Sequence, residues 1–249
     1  MYSLIAIVLV RTSSTRLPNK CLLPLGKYSV IEHVIYRLNH YGFTPIISTS
    51  KAKEDDIIES ICNKTHTKIF RGDLDNKIKR IVDTAVQFNL ENVLLIDADD
   101  PFFDAEANKK SFSYLSQGYD LVIPPSDYYC GSVGYSIKRS VLEHAMRVYN
   151  TAQSEMLESF ILDLNGVAIK NMSAPLTGLD HIRLTLDYQE DYDFITRIVK
   201  SCGHFATPDD IMKLLQKNPE LIQINSFRQQ EWKCNQDLIK KKESKQKDT

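Results

Sequence analysis

Apolar and polar positions alternate along the first hundred residues in two distinct rhythms. LIAIVLV (4–10) is an unbroken apolar run, the signature of a strand buried on both faces. VIEHVIYRLNHYG (30–42) then repeats apolar residues at helical spacing, with Val30, Val34, Ile35 and Leu38 on one face and Gly42 placed as a left-handed stop. The rhythm recurs: TPIIST (44–49) reads as a strand, EDDIIESICNK (54–64) as a helix with acids at its positive end, and TKIF (67–70) as a short strand. DNKIKRIVDTAVQF (75–88) follows as a helix with Ile78, Ile81, Val82 and Ala85 inward, and NVLLID (92–97) as the next strand. Strand–helix–strand repeated with near-continuous apolar strands predicts an α/β fold: a Rossmann-like, mostly parallel sheet with helices on both faces.

The second half is less regular. A helix is expected near 105–117, a strand in YDLVIPP (119–125), and a strand turning into a helix in GSVGYSIKRSVLEHAMRVY (131–149). SEMLESFILD (154–163) reads as helical, GVAIKNM (166–172) as a strand, and HIRLTLD (181–187) alternates as a strand. EDYDFITRIVKSC (190–202) and PDDIMKLLQKNPEL (208–221) are amphipathic helices. No linker of Gly/Ser or Pro type and no internal repeat interrupts the chain, so residues 1–228 are expected to form one domain. Residues 229–249 end in KKKESKQKDT, five lysines in ten positions, and read as a solvated, flexible tail.

Composition narrows the classes. Thirty-one Lys and Arg balance thirty-two Asp and Glu, which gives no global reason to bind nucleic acid. Five scattered Cys without a CxxC pair suggest reduced thiols in a cytoplasmic protein and argue against a structural zinc site. The N-terminal MYSLIAIVLV has no basic residue before it and falls short of the roughly 20 apolar residues that cross a bilayer, so no membrane association is expected.

Two segments that directly follow strands carry the chemistry. RTSSTRLPNK (11–20) packs two Arg, one Lys, two Ser and two Thr into ten positions, a composition suited to an anion site. Arg offers a planar fork for two phosphate oxygens and Lys a compact point charge. DADDP (97–101) delivers Asp97, Asp99 and Asp100 to the end of a buried strand, where continued alternation would turn Asp100 the opposite way. Ligands on open parallel sheets bind beyond the carboxyl ends of the strands, so both segments should open onto one crevice.

The order of these segments resembles the cytidylyltransferases related to CMP-sialate and CMP-Kdo synthetases, nearest to their spore-coat-polysaccharide branch. IAIVLVRTSSTRLPNKCLLPLG is similar to the family's first strand and A-R-x-x-S-T-R-L-P-G-K loop. IFRGDLDNKIKR resembles its F-R-G segment, LLIDADDPFFD its G-D-x-P-L-I-D turn, and IRLTLDYQEDYDFITRIV its R-L-T-[VL]-D-x-x-E-D element. The resemblance implies a nucleotidyltransferase fold of the GT-A-like kind and wraps the loop around the phosphates of CTP. Arg11, Ser14, Arg16 and Lys20 then take phosphate-contacting positions, and Arg71 lies near the nucleotide. Arg11, Lys20 and Asp99 become the catalytic residues, with Arg11 and Lys20 stabilising charge on the α-phosphate and the departing pyrophosphate.

It further implies that Asp99 and Asp187 hold Mg²⁺, an ion that prefers one or two carboxylates completed by water and phosphate. Asp187 is equally placed to cap the helix that follows it. Asp97 departs from the family pattern and is assigned to the ribose hydroxyls or the metal. Asn19 stands where Gly is common, and a small polar residue there can still take left-handed backbone or bond locally. PPSDYYCGSVGYSIKRS matches the family poorly, which leaves the acceptor open. The resemblance implies a sugar-acid acceptor and a homodimer built through residues 125–170. Two alternatives remain: a glycosyltransferase, since Asp97-Ala98-Asp99 spells its Asp-x-Asp, and a non-catalytic module binding CTP or a CMP-sugar.

Overall fold

The structure, a computed structural model, describes residues 4–149 and 153–247, with the side chains of 245–247 outside the description. Its first half runs β1 (Leu4–Leu9), the small β2 (Pro24–Leu25) and β3 (Tyr28–Ser29), α1 (Val30–His40), β4 (Phe43–Ser50) and α2 (Asp56–Thr65). It continues through β5 (Lys68–Gly72), α3 (Lys77–Gln87), β6 (Asn92–Asp97) and α4 (Ala105–Ser113). The second half adds β7 (Leu121–Ile123), β8 (Ser136–Lys138), α5 (Arg139–Tyr149), α6 (Glu158–Ile161) and β9 (Ile169–Asn171). Three helices close the chain: α7 (Gln189–Cys202), α8 (Pro208–Lys217) and α9 (Arg228–Lys247).

Seven strands form one sheet in the order β5-β4-β1-β6-β8-β7-β9. β1 pairs in parallel with β4 on one side and β6 on the other, while β8 runs antiparallel to β6 and β7. The chain winds outward from β1 to β4 and β5, then returns to place β6 on the opposite flank. This reversal between β1 and β6 creates a crevice at their carboxyl ends, the place where such sheets take ligands. The two segments singled out by their chemistry leave these same two strands.

Alternation along β1 explains the layers. Ile7 and Leu9 face one core with Ile78, Ile81 and Val141, while Ala6, Val8 and Val10 face the other with Ile31, Val34 and Leu38. Ser29 and Glu32 form a capping box that fixes the start of α1, and Gly42 supplies the expected left-handed residue after it at φ +81°. Gly134, where the chain crosses into β8, passes so close to β6 that a Cβ would lie 1.7 Å from the Leu95 carbonyl oxygen. A third core of Leu17, Phe102, Tyr128, Leu184, Leu186 and Phe194 lies beneath the crevice and joins the loop, the Asp turn and α7.

Two expectations are corrected. Residues 181–187 do not join the sheet; they make an isolated bridge from Arg183 to Cys130, and every residue from Ile182 to Asp187 is buried. Their alternation reflects a segment wedged between residues 128–131 and α7, with the Leu186 N–H bonding the Asp99 carbonyl at 2.7 Å. The Lys-rich stretch runs as helix α9 to Lys247, and Asp248 and Thr249 lie outside the described residues. Glu243 on α9 is buried and accepts from the backbone N–H groups of Glu155 and Met156 at 2.6 and 3.1 Å. No helix among the described residues is long and apolar enough to cross a membrane.

Candidate active site

The basic loop and the carboxylates meet. The Lys20 ammonium donates to Asp99 and also, at 2.9 Å, to Asp187. Arg16 Nη2 reaches the same Asp187 oxygen at 2.6 Å. The cluster is sheltered: side-chain exposure is 14% for Lys20 and 5% for Asp187. The loop reaches it because Asn19 adopts left-handed backbone at φ +55° and starts a single 3₁₀ turn over 20–22, which turns Lys20 toward the carboxylates. The Asn at the family's Gly position therefore serves the same geometry.

Charge pairing sets the proton affinities. Burial works against the Lys20 charge, but Asp99 and Asp187 outweigh it and hold the ammonium well above its ordinary range. Burial likewise pushes the Asp187 carboxyl up, and Lys20 with Arg16 overcomes this to hold it below the ordinary carboxylate range. Asp99 goes the other way. Burial raises it, Lys20 pulls it down, Asp187 and Asp97 add to the rise, and the balance is upward.

Asp100 does not point away. β6 ends at Asp97, the Asp100 N–H bonds the Asp97 carbonyl at 3.0 Å, and this turn breaks the strand alternation. One carboxylate oxygen from each of Asp97, Asp99 and Asp100 consequently lies within 4.8 Å of the others. Burial, with Asp99 and Asp97 beside it, lifts the Asp100 carboxyl well above its ordinary value, and Thr185 bonds its side chain. Gly131, at φ +84°, makes room: a Cβ there would lie 2.4 Å from Asp100 Oδ1. Asp97 is half exposed and paired with Lys77 Nζ at 3.2 Å, a cation that helical periodicity had left on a solvated face.

Asp187 stands on a buried ionic platform. Arg183, fully buried, forks onto Asp191 through two bonds of 3.1 Å and donates to Gln229 Oε1 at 2.7 Å. Asp191 in turn accepts from the backbone N–H groups of Asp187 and Tyr188 at 2.9 and 3.1 Å. The expected capping role at this helix start thus belongs to Asp191, which leaves the Asp187 carboxylate to accept from Lys20 and Arg16.

The other face of the loop lines a cleft of about 490 Å³, with Arg11, Thr12, Ser13 and Asn19 on one side and Ala52, Glu54, Asp55, Leu74 and Asp75 on the other. Arg11 donates to the Leu74 carbonyl at 2.8 Å. Ser14 lies in a tight turn closed by its N–H on the Thr12 carbonyl at 2.8 Å. Asp55, read as an acid at a helix start, is buried and holds both the N–H and hydroxyl of Thr12 at 2.8 Å. It binds the Ser50 hydroxyl as well, so it ties the loop to the end of β4. Arg71 does not join the carboxylate cluster. Its guanidinium is spent on the Ser50 and Ala52 carbonyls and on Asp56 and Glu59, so it braces the Ala52 wall of the cleft.

The chain is similar throughout to known proteins. The family model described as cytidylyltransferase matches residues 5–218. The spore coat polysaccharide biosynthesis protein SpsF of Bacillus subtilis is 26% identical over 236 residues, covering 88% of this chain and 97% of its own. A cytidylyltransferase structure from Leptospira borgpetersenii superposes with a TM-score of 0.77 at 21% identity, covering 88% of this chain and 96% of that one. The structure of CMP:2-keto-3-deoxy-manno-octonic acid synthetase complexed with CTP has a TM-score of 0.59 at 16% identity, covering 80% of this chain and 99% of its own. The strand-one loop, the Asp turn and the late Arg-x-x-x-Asp element fall within the matched span, and this chain belongs to the cytidylyltransferase family of nucleotidyltransferases.

Proposed function

We propose that the chain transfers CMP from CTP to a hydroxyl of a sugar acid, of the sialic-acid or another ulosonic type, with Mg²⁺ as cofactor and pyrophosphate as the second product. The observation that carries this reading is the meeting of Lys20 and Arg16 with Asp99 and Asp187 at the switch point of the sheet. Phosphoryl-type transfer asks a protein mainly for positioning and charge neutralisation, and this cluster has those means without a nucleophilic triad. The acceptor oxygen attacks the α-phosphorus, the bond to the bridging oxygen breaks, pyrophosphate leaves, and the hydroxyl proton passes to solvent.

Arg11 and Lys20 stabilise charge on the α-phosphate and on pyrophosphate, while Ser14 and Arg16 hold the remaining phosphate oxygens. Asp97, beside Lys77, takes the ribose hydroxyls or the metal. Arg71 supports the nucleotide from behind, through Ala52.

Asp99 and Asp187 are the residues that would hold Mg²⁺. The fit is supported by the Lys20 ammonium, a cation that both carboxylates already share, and by the hard oxygen donors of the Asp97–Asp100 turn. Such an ion neutralises phosphate charge and lowers the pKa of a bound hydroxyl.

The kinship with SpsF supports a role in making a surface polysaccharide or related glycan, and the reading includes a cytoplasmic homodimer. Val148 and Leu162, exposed within 125–170, support that contact region. Incubating the protein with radiolabelled CTP, Mg²⁺ and a panel of ulosonic acids tests the reading. Pyrophosphate release with a CMP-sugar product is expected. CTP binding without product from any acceptor would favour the non-catalytic module, and turnover of a nucleotide sugar would favour the glycosyltransferase.

A further inference from the structure

Arg80, on the inner face of α3, is 2% exposed and carries no carboxylate partner among the described residues. Its Nη1 donates to the carbonyls of Asp73 and Leu74 at 2.6 and 3.3 Å, and its Nε has no partner. The Leu74 carbonyl also accepts from Arg11 at 2.8 Å, so two guanidiniums converge on one oxygen at the wall of the cleft. Asp55, Asp73 and Asp97 lie close enough to offset part of its charge, yet none of their carboxylates bonds it. Asp55 is bonded to Thr12 and Ser50, Asp73 to the N–H groups of Asp75 and Asn76, and Asp97 to Lys77. Glu54 and Asp75 line the cleft as exposed residues.

Burying a guanidinium beside another of the same sign, with one N–H left unbonded, is costly. The cost is visible in Arg80 itself: burial, and then Arg11, pulls its pKa down to about 10. Gly72 is part of the arrangement, since a Cβ there would lie 2.6 Å from the Phe70 ring and 3.0 Å from the Arg80 stem.

We propose that Arg80 is a positioning residue for the triphosphate: through the Leu74 carbonyl that both guanidiniums share, it sets Arg11 at the wall of the cleft to meet the phosphate chain. This rests on the nucleotide reading above and adds to it a residue that helical periodicity hides.

Calorimetric affinities of wild type, Arg80→Gln and Arg80→Lys for CTP, CMP and cytidine test the proposal. Arg80→Gln is expected to weaken CTP about tenfold or more, CMP less, and cytidine not at all. Arg80→Lys, which keeps the charge but loses the fork, should fall between. Unchanged CTP affinity, or a loss as large for cytidine as for CTP, overturns the proposal, because a purely structural defect would not scale with phosphate number. Wild type that fails to bind CTP defeats the nucleotide reading instead. Should neither variant fold, a wild-type crystal structure with CTP decides. A phosphate oxygen bonded to Arg11, with Arg11 and Arg80 still sharing the Leu74 carbonyl, supports the proposal, and an Arg11 that leaves that carbonyl or misses the phosphates overturns it.

Discussion

Replacing Lys20 with Met keeps the side-chain length and removes the charge that Asp99 and Asp187 share. Breaking a buried ion pair by deleting one partner costs about 3–5 kcal/mol. Here the cost should fall at or below the lower end, about 2–3 kcal/mol, because Arg16 still neutralises Asp187 and the Asp99 side chain is 26% exposed. At about 2–4 °C per kcal/mol for a chain of this size, the melting temperature should drop by about 5–10 °C in EDTA. Millimolar Mg²⁺ should then recover more of that loss in Lys20→Met than it adds to wild type, since the ion supplies the missing positive charge. Turnover should still fall about a hundredfold, the scale of one main electrostatic contact to the transition state. Thermal melts followed by circular dichroism, with and without Mg²⁺, and a pyrophosphate-release assay measure both effects. An unchanged melting temperature in EDTA, or equal stabilisation of both proteins by Mg²⁺, would refute the shared-cation reasoning.

Asp99→Ala should lose about a hundredfold or more in turnover, roughly 3 kcal/mol, and near-normal rates with Mg²⁺ would remove Asp99 from the mechanism. Arg71→Ala should raise the KM for CTP with little change in kcat, because the residue braces the cleft wall and touches no carboxylate of the cluster; an equal fall in kcat would contradict this placement. His33 is fully buried, its Nε2–H donating to the Pro101 carbonyl at 2.8 Å and its Nδ1 accepting from His204 at 2.9 Å, and burial lowers its pKa to about 3. The unfolded chain binds this proton near pH 6.5 and the folded chain does not, so this stability is complete above that pH and is lost as pH falls toward 3. Urea unfolding should show about 2 kcal/mol less stability at pH 5 than at pH 7 from this residue, a difference that His33→Asn should erase.

The half of the fold from β1 to β6 was readable because its strands are buried on both faces and its helices on one, which are the patterns that periodicity detects. Lys20 and Asp187 lie 167 positions apart, and no spacing rule pairs them; the order of family-like segments did. What escaped notice was charge that points inward. Asp55, Lys77 and Arg80 look like the ordinary polar face of amphipathic helices, yet Asp55 lines the cleft, Arg80 bonds the Leu74 carbonyl in its wall and Lys77 pairs with Asp97. Asp100 was misjudged because alternation was carried three residues past the end of its strand. The segment 181–187 was read as a sheet strand because alternating residues are also what a wedge between two packed surfaces requires.

The arrangement also bears on why the cluster is built from opposed charges. Arg16 and Lys20 face Asp99 and Asp187, and Arg183 and Asp191 stand behind them, so the charges are nearly balanced before any nucleotide arrives. Each group is held by bonds made in folding, so its orientation costs little at the moment of reaction, which is the condition for effective electrostatic stabilisation. A magnesium–nucleotide complex would bring a doubly charged cation and several negative charges together. Its entry would exchange partners within the cluster: Asp99 and Asp187 are the residues that would hold the cation, and Lys20 and Arg16 would be left to pair with phosphate, so no buried charge would stand alone. The wall bearing Arg11 is mixed in charge, since Glu54, Asp55 and Asp75 line the same cleft. CTP alone would draw Lys20 and Arg16 off Asp99 and Asp187 and leave those carboxylates unpaired, so calorimetry should show weaker CTP binding in EDTA than in Mg²⁺, and equal affinities would refute the exchange.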